Sequence, residues 1–129
     1  MPRYQSRRSR LCRLLRRAGA DGLLVTNFTN VTYLTGFTGD DSYLHLGTAE
    51  AVLISDPRYA TQLADECPDL RVHIRPPGES MLAAVTAVAG SAKTRRLGVE
   101  GDSMGVGLYE RLNAALPNVE LAITDGLFE

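Results

Sequence analysis

The sequence has no tryptophan, two cysteines and two histidines, so it offers few residues for redox, metal or nucleophilic chemistry. Cys12 and Cys67 form no CxxC pair, which indicates free thiols rather than a disulfide framework or a zinc site. His45 and His73 belong to no HExxH motif, and a surface or interface position is favoured for each. No Gly-x-Ser-x-Gly motif supports a serine triad, although a triad assembled in space stays open. We therefore expect no catalytic, metal-binding or cofactor-binding residues in this chain.

Phosphate-binding loops and membrane-spanning segments are also missing. Residues 101–107 contain three glycines, but neither GxGxxG nor GxxxxGK[ST] spacing occurs, so we interpret them as a strand-to-helix turn. No apolar run approaches the roughly 18 residues that cross a bilayer. The basic N-terminus lacks the apolar core of a secretory signal. These absences predict a cytoplasmic protein with no membrane partner.

The charges that are present are unevenly distributed. Residues 1–17 contain seven arginines and no acid, whereas residues 18–129 contain seven basic and fifteen acidic residues. The two parts therefore carry +7 and −8, which sum to the net charge of −1. Leu11, Leu14 and Leu15 fall at helical spacing, which favours a helix docked on its own acidic domain. A nucleic-acid partner is the less favoured alternative.

The order of predicted elements is α-β-α-β-β-α-β-α-β-α-β, in a chain of 129 residues that suits one domain. Six strands alternating mostly with helices predict an α/β three-layer sandwich with a six-stranded mixed sheet. Residues 42–46 and 51–55 are predicted to form an antiparallel hairpin. Ser6 is the predicted start of the first helix, and Gly90 the predicted end of a helix over residues 80–89.

Arg58 is the most informative single residue of the middle region. It stands in the first turn of the helix that Asp56-Pro57 begins, where the helix dipole disfavours a cation. An arginine at this position indicates that its guanidinium N–H groups have a hydrogen-bond partner. That partner is either an acid of the same chain or a carboxylate of a ligand or neighbouring subunit. Asp40 and Asp41 are adjacent acids in the preceding loop. A solvated loop tip is favoured for them, and binding of an ammonium group is the alternative.

Four segments resemble, in the same order, the N-terminal domain of the creatinase/prolidase/aminopeptidase P family of Xaa-Pro metallopeptidases. They are RSRLCRLLRRAGADGLLVT, NVTYLTGFTG, LISDPRYATQLADE and RRLGVEGDSMGVGLYERLNAALPNVEL. The resemblance covers nearly the whole chain. It implies that residues 1–129 form a creatinase/prolidase-type N-terminal domain with a ribonuclease H-like motif. The pita-bread catalytic domain of the family is absent from this chain, and we expect the gene product to extend past Glu129.

The resemblance implies a parent hydrolase that cleaves Xaa-Pro bonds as an aminopeptidase or dipeptidase, or less often the C–N bond of creatine. Its dinuclear divalent metal centre (Mn, Zn or Co) belongs to the missing catalytic domain, so this isolated domain is expected to be inactive. The domain's implied roles are oligomerisation, as in a homodimer, and walling the active site. Its implied partners are its own C-terminal catalytic domain and a proline-containing peptide substrate.

The residues that match the family's substrate rim or subunit contact are Arg58, Tyr59, Asp40 and Asp41. Arg58 matches an arginine of the family, which implies that it orients substrate or holds the subunit contact. The loop departs from the family's common GFTGS pattern, because Gly39 is followed here by Asp40 and Asp41.

Two other functions stay open from the residues alone. One is a stand-alone peptide- or protein-binding module. The other is a nucleic-acid-processing domain of ribonuclease H type, which would need several carboxylates converging on metal ions. Asp21, Asp56 and Glu100 are the strand-end acids that could supply them.

Overall fold

A computed structural model describes residues 3–48 and 50–128, and a six-stranded sheet forms its centre. The strands are β1 (Gly22–Val25), β2 (Tyr43–Gly47), β3 (Ala51–Ser55), β4 (Arg71–Ile74), β5 (Arg96–Glu100) and β6 (Glu120–Thr124). The helices are α1 (Arg3–Arg17), α2 (Phe28–Thr35), α3 (Ala60–Glu66), α4 (Met81–Ser91) and α5 (Val106–Ala115), with a 3-10 turn over Pro57–Tyr59. The predicted domain limit at Glu129 lies outside the described residues.

The sheet has the strand order β4-β3-β2-β1-β5-β6. Strand β2 pairs antiparallel with β1 and with β3, whereas the other three pairings are parallel. Five strands therefore point the same way, and their last residues meet at one edge of the sheet, which we call the carboxyl edge. The opposite edge is the amino edge. The predicted mixed sheet and the predicted antiparallel hairpin are confirmed.

Both faces of the sheet are covered, because neighbouring residues of its inner strands alternate between two apolar cores. Leu23 faces the core that includes Leu11 of α1 and Leu34 of α2. Leu24, the next residue, faces the core that includes Val85 of α4 and Leu112 of α5. Helix α3 contributes Leu63 to the first core. The result is the predicted three-layer sandwich, with α1, α2 and α3 on one face and α4 and α5 on the other.

Two predicted helix boundaries are wrong. Helix α1 begins at Arg3, so Ser6 lies inside it rather than at its start. The extra turn is stabilised by the Tyr4 ring, which packs so closely against Gly36 that a side chain there would overlap it. Helix α4 continues through Gly90 because the neighbouring Ala89 is buried in the core. The chain leaves that helix at Lys93, which adopts a left-handed conformation with φ of 56°.

None of the helices within the described part of the chain combines the length and apolar character required to cross a membrane.

Candidate functional site

Arg58 lies at the carboxyl edge, just after β3, and two carboxylates fix its guanidinium group. The two carboxylate oxygens of Asp56 accept hydrogen bonds from Nε at 3.0 Å and Nη2 at 2.8 Å. Asp56 also caps the 3-10 turn by accepting the backbone N–H of Arg58 at 2.9 Å. Asp41 accepts a further bond from Nη2 at 3.1 Å. The cation in the first turn is thus stabilised by internal acids, one of the two partners predicted for it.

The bound guanidinium nevertheless stays open to other molecules. The Arg58 side chain is 64% exposed, and among the described residues its Nη1 donates no hydrogen bond. Hydrogen bonds from Arg58 hold the pKa of Asp56 below its usual value. In return, Asp56 and then Asp41 raise the pKa of Arg58. The pair is therefore fully ionised at neutral pH, and it presents a fixed and largely exposed guanidinium group.

Tyr59 and Asp40 form a second pair beside the first. The Tyr59 hydroxyl donates to Asp40 Oδ1 at 2.5 Å, and this hydrogen bond raises the pKa of Tyr59. The Arg58 guanidinium carbon lies 5.2 Å from the centre of the Tyr59 ring, which adds a cation–π contact. The four predicted residues are thus brought together in one cluster, which we call the Arg58 rim.

Two aromatic rings pack against the loop that carries Asp40. The rings of Phe37 and Tyr59 meet edge to face, with centroids 5.5 Å apart. Gly39 lies against both rings, and a Cβ at that position would overlap Phe37 and come within 2.9 Å of Tyr59. A side chain at position 39 would therefore displace the loop. This close approach explains why glycine stands immediately before the two acids.

Hydrogen bonds anchor the same loop at both ends. Thr38 donates its backbone N–H to Glu66 Oε1 at 3.0 Å, which ties the start of the loop to α3. The Ser42 hydroxyl donates to the Asp40 carbonyl at 3.0 Å and contacts the Ser55 hydroxyl at 2.8 Å. Asp41 between them has a positive φ of 49°. The loop is therefore held in one conformation, with Asp41 aimed at Arg58.

Chemically, the Arg58 rim can bind but has no nucleophile activated by a base. The guanidinium can donate to a carboxylate or a carbonyl oxygen. Asp40 and Asp41 are exposed loop residues, as expected for a solvated loop tip, and they already accept hydrogen bonds from the rim itself. Within residues 3–48 and 50–128, no group of three or more His, Cys, Asp or Glu side chains could hold a metal ion. A role of the rim toward substrate or subunit stays a prediction.

Glu100 is an important residue that the sequence did not distinguish from other strand-end acids. It is 5% exposed, and its Oε1 accepts the backbone N–H groups of Thr26 at 2.7 Å and Asn27 at 3.0 Å. Its Oε2 accepts from the Asn30 side chain at 2.6 Å. Glu100 therefore joins the end of β5 to the segment that begins α2. A glutamate as the last residue of a buried strand was the signal available in the sequence.

The three strand-end acids considered for a nuclease site do not converge. Asp21 lies at the amino edge, where it accepts the backbone N–H groups of Arg95 and Arg96. Asp56 and Glu100 lie at the carboxyl edge, on strands separated by three steps across the sheet. At about 4.8 Å per step, that separation is about 14 Å. The described residues therefore give no support to metal-dependent nuclease chemistry.

His45 does not occupy the surface or interface position that was favoured for it, whereas His73 stays partly exposed. His45 is 1% exposed, and its Nε2 lies 3.1 Å from the Thr94 hydroxyl. Helix α4 and Thr94 cover the side of β2 that the sequence left open. His73 is half-buried, and its Nε2 lies 2.6 Å from Glu79. Neither residue belongs to the Arg58 rim.

The buried His45 predicts a loss of stability in mild acid. Burial lowers the pKa of His45 below its ordinary value of 6.5. The unfolded chain therefore takes up a proton first, and the free energy of unfolding falls as the pH drops below about 6.5. The slope from this residue is at most about 1.4 kcal/mol per pH unit. Urea unfolding at pH 8, 7, 6 and 5.5 would measure it. His45→Gln should flatten the curve, and equal slopes in both proteins would contradict the prediction.

Helix α1 packs on its own domain with a solvated arginine face, as the sequence favoured. Arg7 and Arg8 donate to the carbonyls of Tyr33 and Leu34 at 2.8 Å each, near the end of α2, where the helix dipole favours cations. The other arginines of the helix are exposed, and no ion pair involves them among the described residues. Helix α1 is thus docked by its leucines, with a solvated basic face.

Comparison with known proteins gives one consistent result. The family model described as the Creatinase/Prolidase N-terminal domain matches residues 7–129. The peptidase YqhT of Bacillus subtilis (strain 168), whose own role is uncharacterised, is 33% identical over 112 residues. That alignment covers 87% of this chain and 31% of YqhT, so the chain spans about a third of that relative.

Solved structures agree with the sequence comparisons. The N-terminal domain of the cytoplasmic peptidase PepQ from Mycobacterium tuberculosis H37Rv is 33% identical, with a TM-score of 0.85 and 95% of each chain covered. An Xaa-Pro dipeptidase from Bacillus anthracis is 25% identical, with a TM-score of 0.90. It matches 98% of this chain and 35% of the dipeptidase chain.

Proposed function

This chain belongs to the creatinase/prolidase N-terminal domain family, and we propose that it is the non-catalytic N-terminal domain of an Xaa-Pro aminopeptidase or dipeptidase. The proposal is supported by the match over residues 7–129 and by relatives that are about three times as long as the chain. In this proposal, a C-terminal domain supplies the catalytic residues and the divalent metal pair. In the same proposal, the ligands of the metal pair belong to that C-terminal domain.

The observation that carries the functional proposal is the fixed, open guanidinium of Arg58. Two carboxylates hold it in place before any ligand arrives, so little conformational freedom is lost on binding. Its free Nη1 can donate to a carboxylate or a carbonyl oxygen of a proline-containing peptide. The same group can instead donate to an acid of a neighbouring subunit in a cytoplasmic homodimer. In both cases the Arg58 rim forms part of the wall of an active site whose catalytic residues lie outside this chain.

The test compares this chain with a longer gene product that includes the proposed catalytic domain. We expect hydrolysis of Xaa-Pro dipeptides or Xaa-Pro-containing peptides by the longer protein with Mn²⁺, and none by residues 1–129. Arg58→Ala in the longer protein should lower kcat/KM by roughly tenfold, the scale of one hydrogen bond to a charged group. Its dimerisation should be measured in parallel by sedimentation.

The matched control is Arg95→Ala, because Arg95 is exposed at the amino edge, remote from the rim. It should leave kcat/KM and dimerisation unchanged. An Arg58→Ala protein with unaltered kinetics and unaltered dimerisation would remove the role given to the rim. A longer protein that hydrolyses no Xaa-Pro bond would remove the proposed enzyme class.

A further inference from the structure

Strand β4 ends the sheet, and among the described strands only β3 pairs with it. Arg75, just after β4, donates its backbone N–H to the Ser55 carbonyl at 2.8 Å. Alternate residues of a strand direct their backbone groups to the same side, so Val72 and Ile74 direct theirs away from β3. The outer side of β4 therefore offers two N–H donors and two C=O acceptors to an added strand.

An apolar groove runs beside β4 on the face that carries α3. Its volume is about 300 Å³. It is lined by side chains of α3, of the α3–β4 turn and of the strand itself, among them Leu63, Ala64, Cys67, Val72 and Ile74. Every second side chain of a strand added to β4 would point toward this groove. Apolar side chains fit its lining.

A second cleft of about 570 Å³ lies on the opposite face, between α4 and β4. Its wall includes Arg71 and His73, which alternate along β4 with the apolar residues of the other face. Arg71 is paired with Glu50 at 2.7 Å, and both side chains are at least half exposed. Because exposed ion pairs of this kind contribute little, a carboxylate of a ligand can take the place of Glu50.

The charged side chains of β4 favour a peptide over a second copy of this chain as the molecule that binds its outer edge. Antiparallel pairing of two β4 strands with matching faces can place Arg71 opposite Arg75 of the other copy. Like charges directly opposite each other in a sheet are destabilising. A strand that alternates apolar and acidic residues avoids this repulsion, because its apolar side chains fit the groove beside α3 and a carboxylate can replace Glu50 at Arg71.

We propose that the outer edge of β4 binds an extended peptide with alternating apolar and acidic residues. The peptide adds a seventh strand to the sheet, bonded to the backbone of Val72 and Ile74. Its apolar side chains enter the groove beside α3, and one of its carboxylates meets Arg71. This inference concerns a surface separate from the Arg58 rim, and it does not rest on the proposed function.

The test measures fluorescence anisotropy of a labelled peptide of four Glu-Val repeats. We expect saturable binding to the 129-residue chain and at least tenfold weaker binding to Val72→Pro. Proline removes the outward donor of residue 72, yet it removes no bond to β3, so edge strands tolerate it. The matched control is Ile123→Pro on β6, the other edge strand. Glu120 donates to Arg95 and Thr124 accepts from Gly101, so Ile123 also directs its N–H outward.

A peptide of the same sequence with alternate backbone nitrogens methylated should fail to bind the unaltered protein. That measurement decides the question even if Val72→Pro folds poorly. Equal binding of the methylated peptide, or equal weakening by Ile123→Pro, would overturn the proposal. So would a wild-type dimer in sedimentation that Val72→Pro converts to monomer, since a second copy would then occupy the edge.

Discussion

Replacing Glu100 with alanine is expected to lower the free energy of unfolding by about 3–5 kcal/mol. The carboxylate is buried, and it accepts the backbone N–H groups of Thr26 and Asn27 and the side chain of Asn30. Alanine would leave these donors without their acceptor in an enclosed site, and each buried unsatisfied group costs about 1–3 kcal/mol. Urea unfolding monitored by circular dichroism would measure the loss.

Two controls separate the buried carboxylate from glutamate in general. Glu100→Gln keeps one acceptor oxygen, so it should cost less than alanine, about 1–2 kcal/mol. Glu110→Ala removes an exposed glutamate of α5 and should change stability by at most about 0.5 kcal/mol. If Glu100→Ala were no more destabilising than Glu110→Ala, Glu100 would not be joining β5 to α2.

Replacing Phe37 with alanine is expected to cost about 3–5 kcal/mol of unfolding free energy. Phe37 has no exposed surface, and its ring packs on the Tyr59 ring and under Gly39. Its carbonyl also accepts the Thr32 hydroxyl at 2.6 Å. Alanine would leave a cavity beneath the Arg58 rim, so the loop that carries Asp40 should lose its support together with the core.

The matched control for this prediction is Phe28→Ala, because Phe28 is 59% exposed. That change should alter stability by at most about 0.5 kcal/mol. Amide hydrogen exchange would show whether the loop is affected, since exchange at residues 38–42 should rise in Phe37→Ala and stay constant in Phe28→Ala. Similar unfolding free energies for the two variants would contradict the role of Phe37.

Most of the sheet could be predicted from the sequence because its strands are short apolar runs bounded by turn residues. Alternation along residues 42–46 puts Leu44 on one face of the sheet and His45 on the other, as the structure has them. The same pattern could not show that His45 is buried, because the covering residue Thr94 is 49 positions away. The alternation along one strand shows which face of the sheet a residue lies on. Whether that face is covered depends on tertiary packing with elements elsewhere in the chain.

The Arg58 rim shows the same limit of local sequence patterns. The resemblance to a known family selected Arg58, Tyr59, Asp40 and Asp41, and the structure brings these residues together. The bond from Arg58 to Asp41 spans 17 positions, so local sequence patterns could not predict it. The first turn of α1 was missed for a related reason. It depends on Tyr4 meeting Gly36, and no local signal in residues 3–6 indicates that contact.

The position of β1 between β2 and β5 has a consequence for the order in which the domain folds. Strands β1 to β4 are neighbours both in the chain and in the sheet, so their pairing needs no long loop closure. By contrast, β1 meets β5 only when Gly22 reaches Leu97. Closing so large a loop costs entropy before its contacts form, which makes such pairing slow. We therefore expect the slow step of folding to be formation of the β1–β5 parallel ladder, which joins a four-stranded unit to the β5–β6 pair.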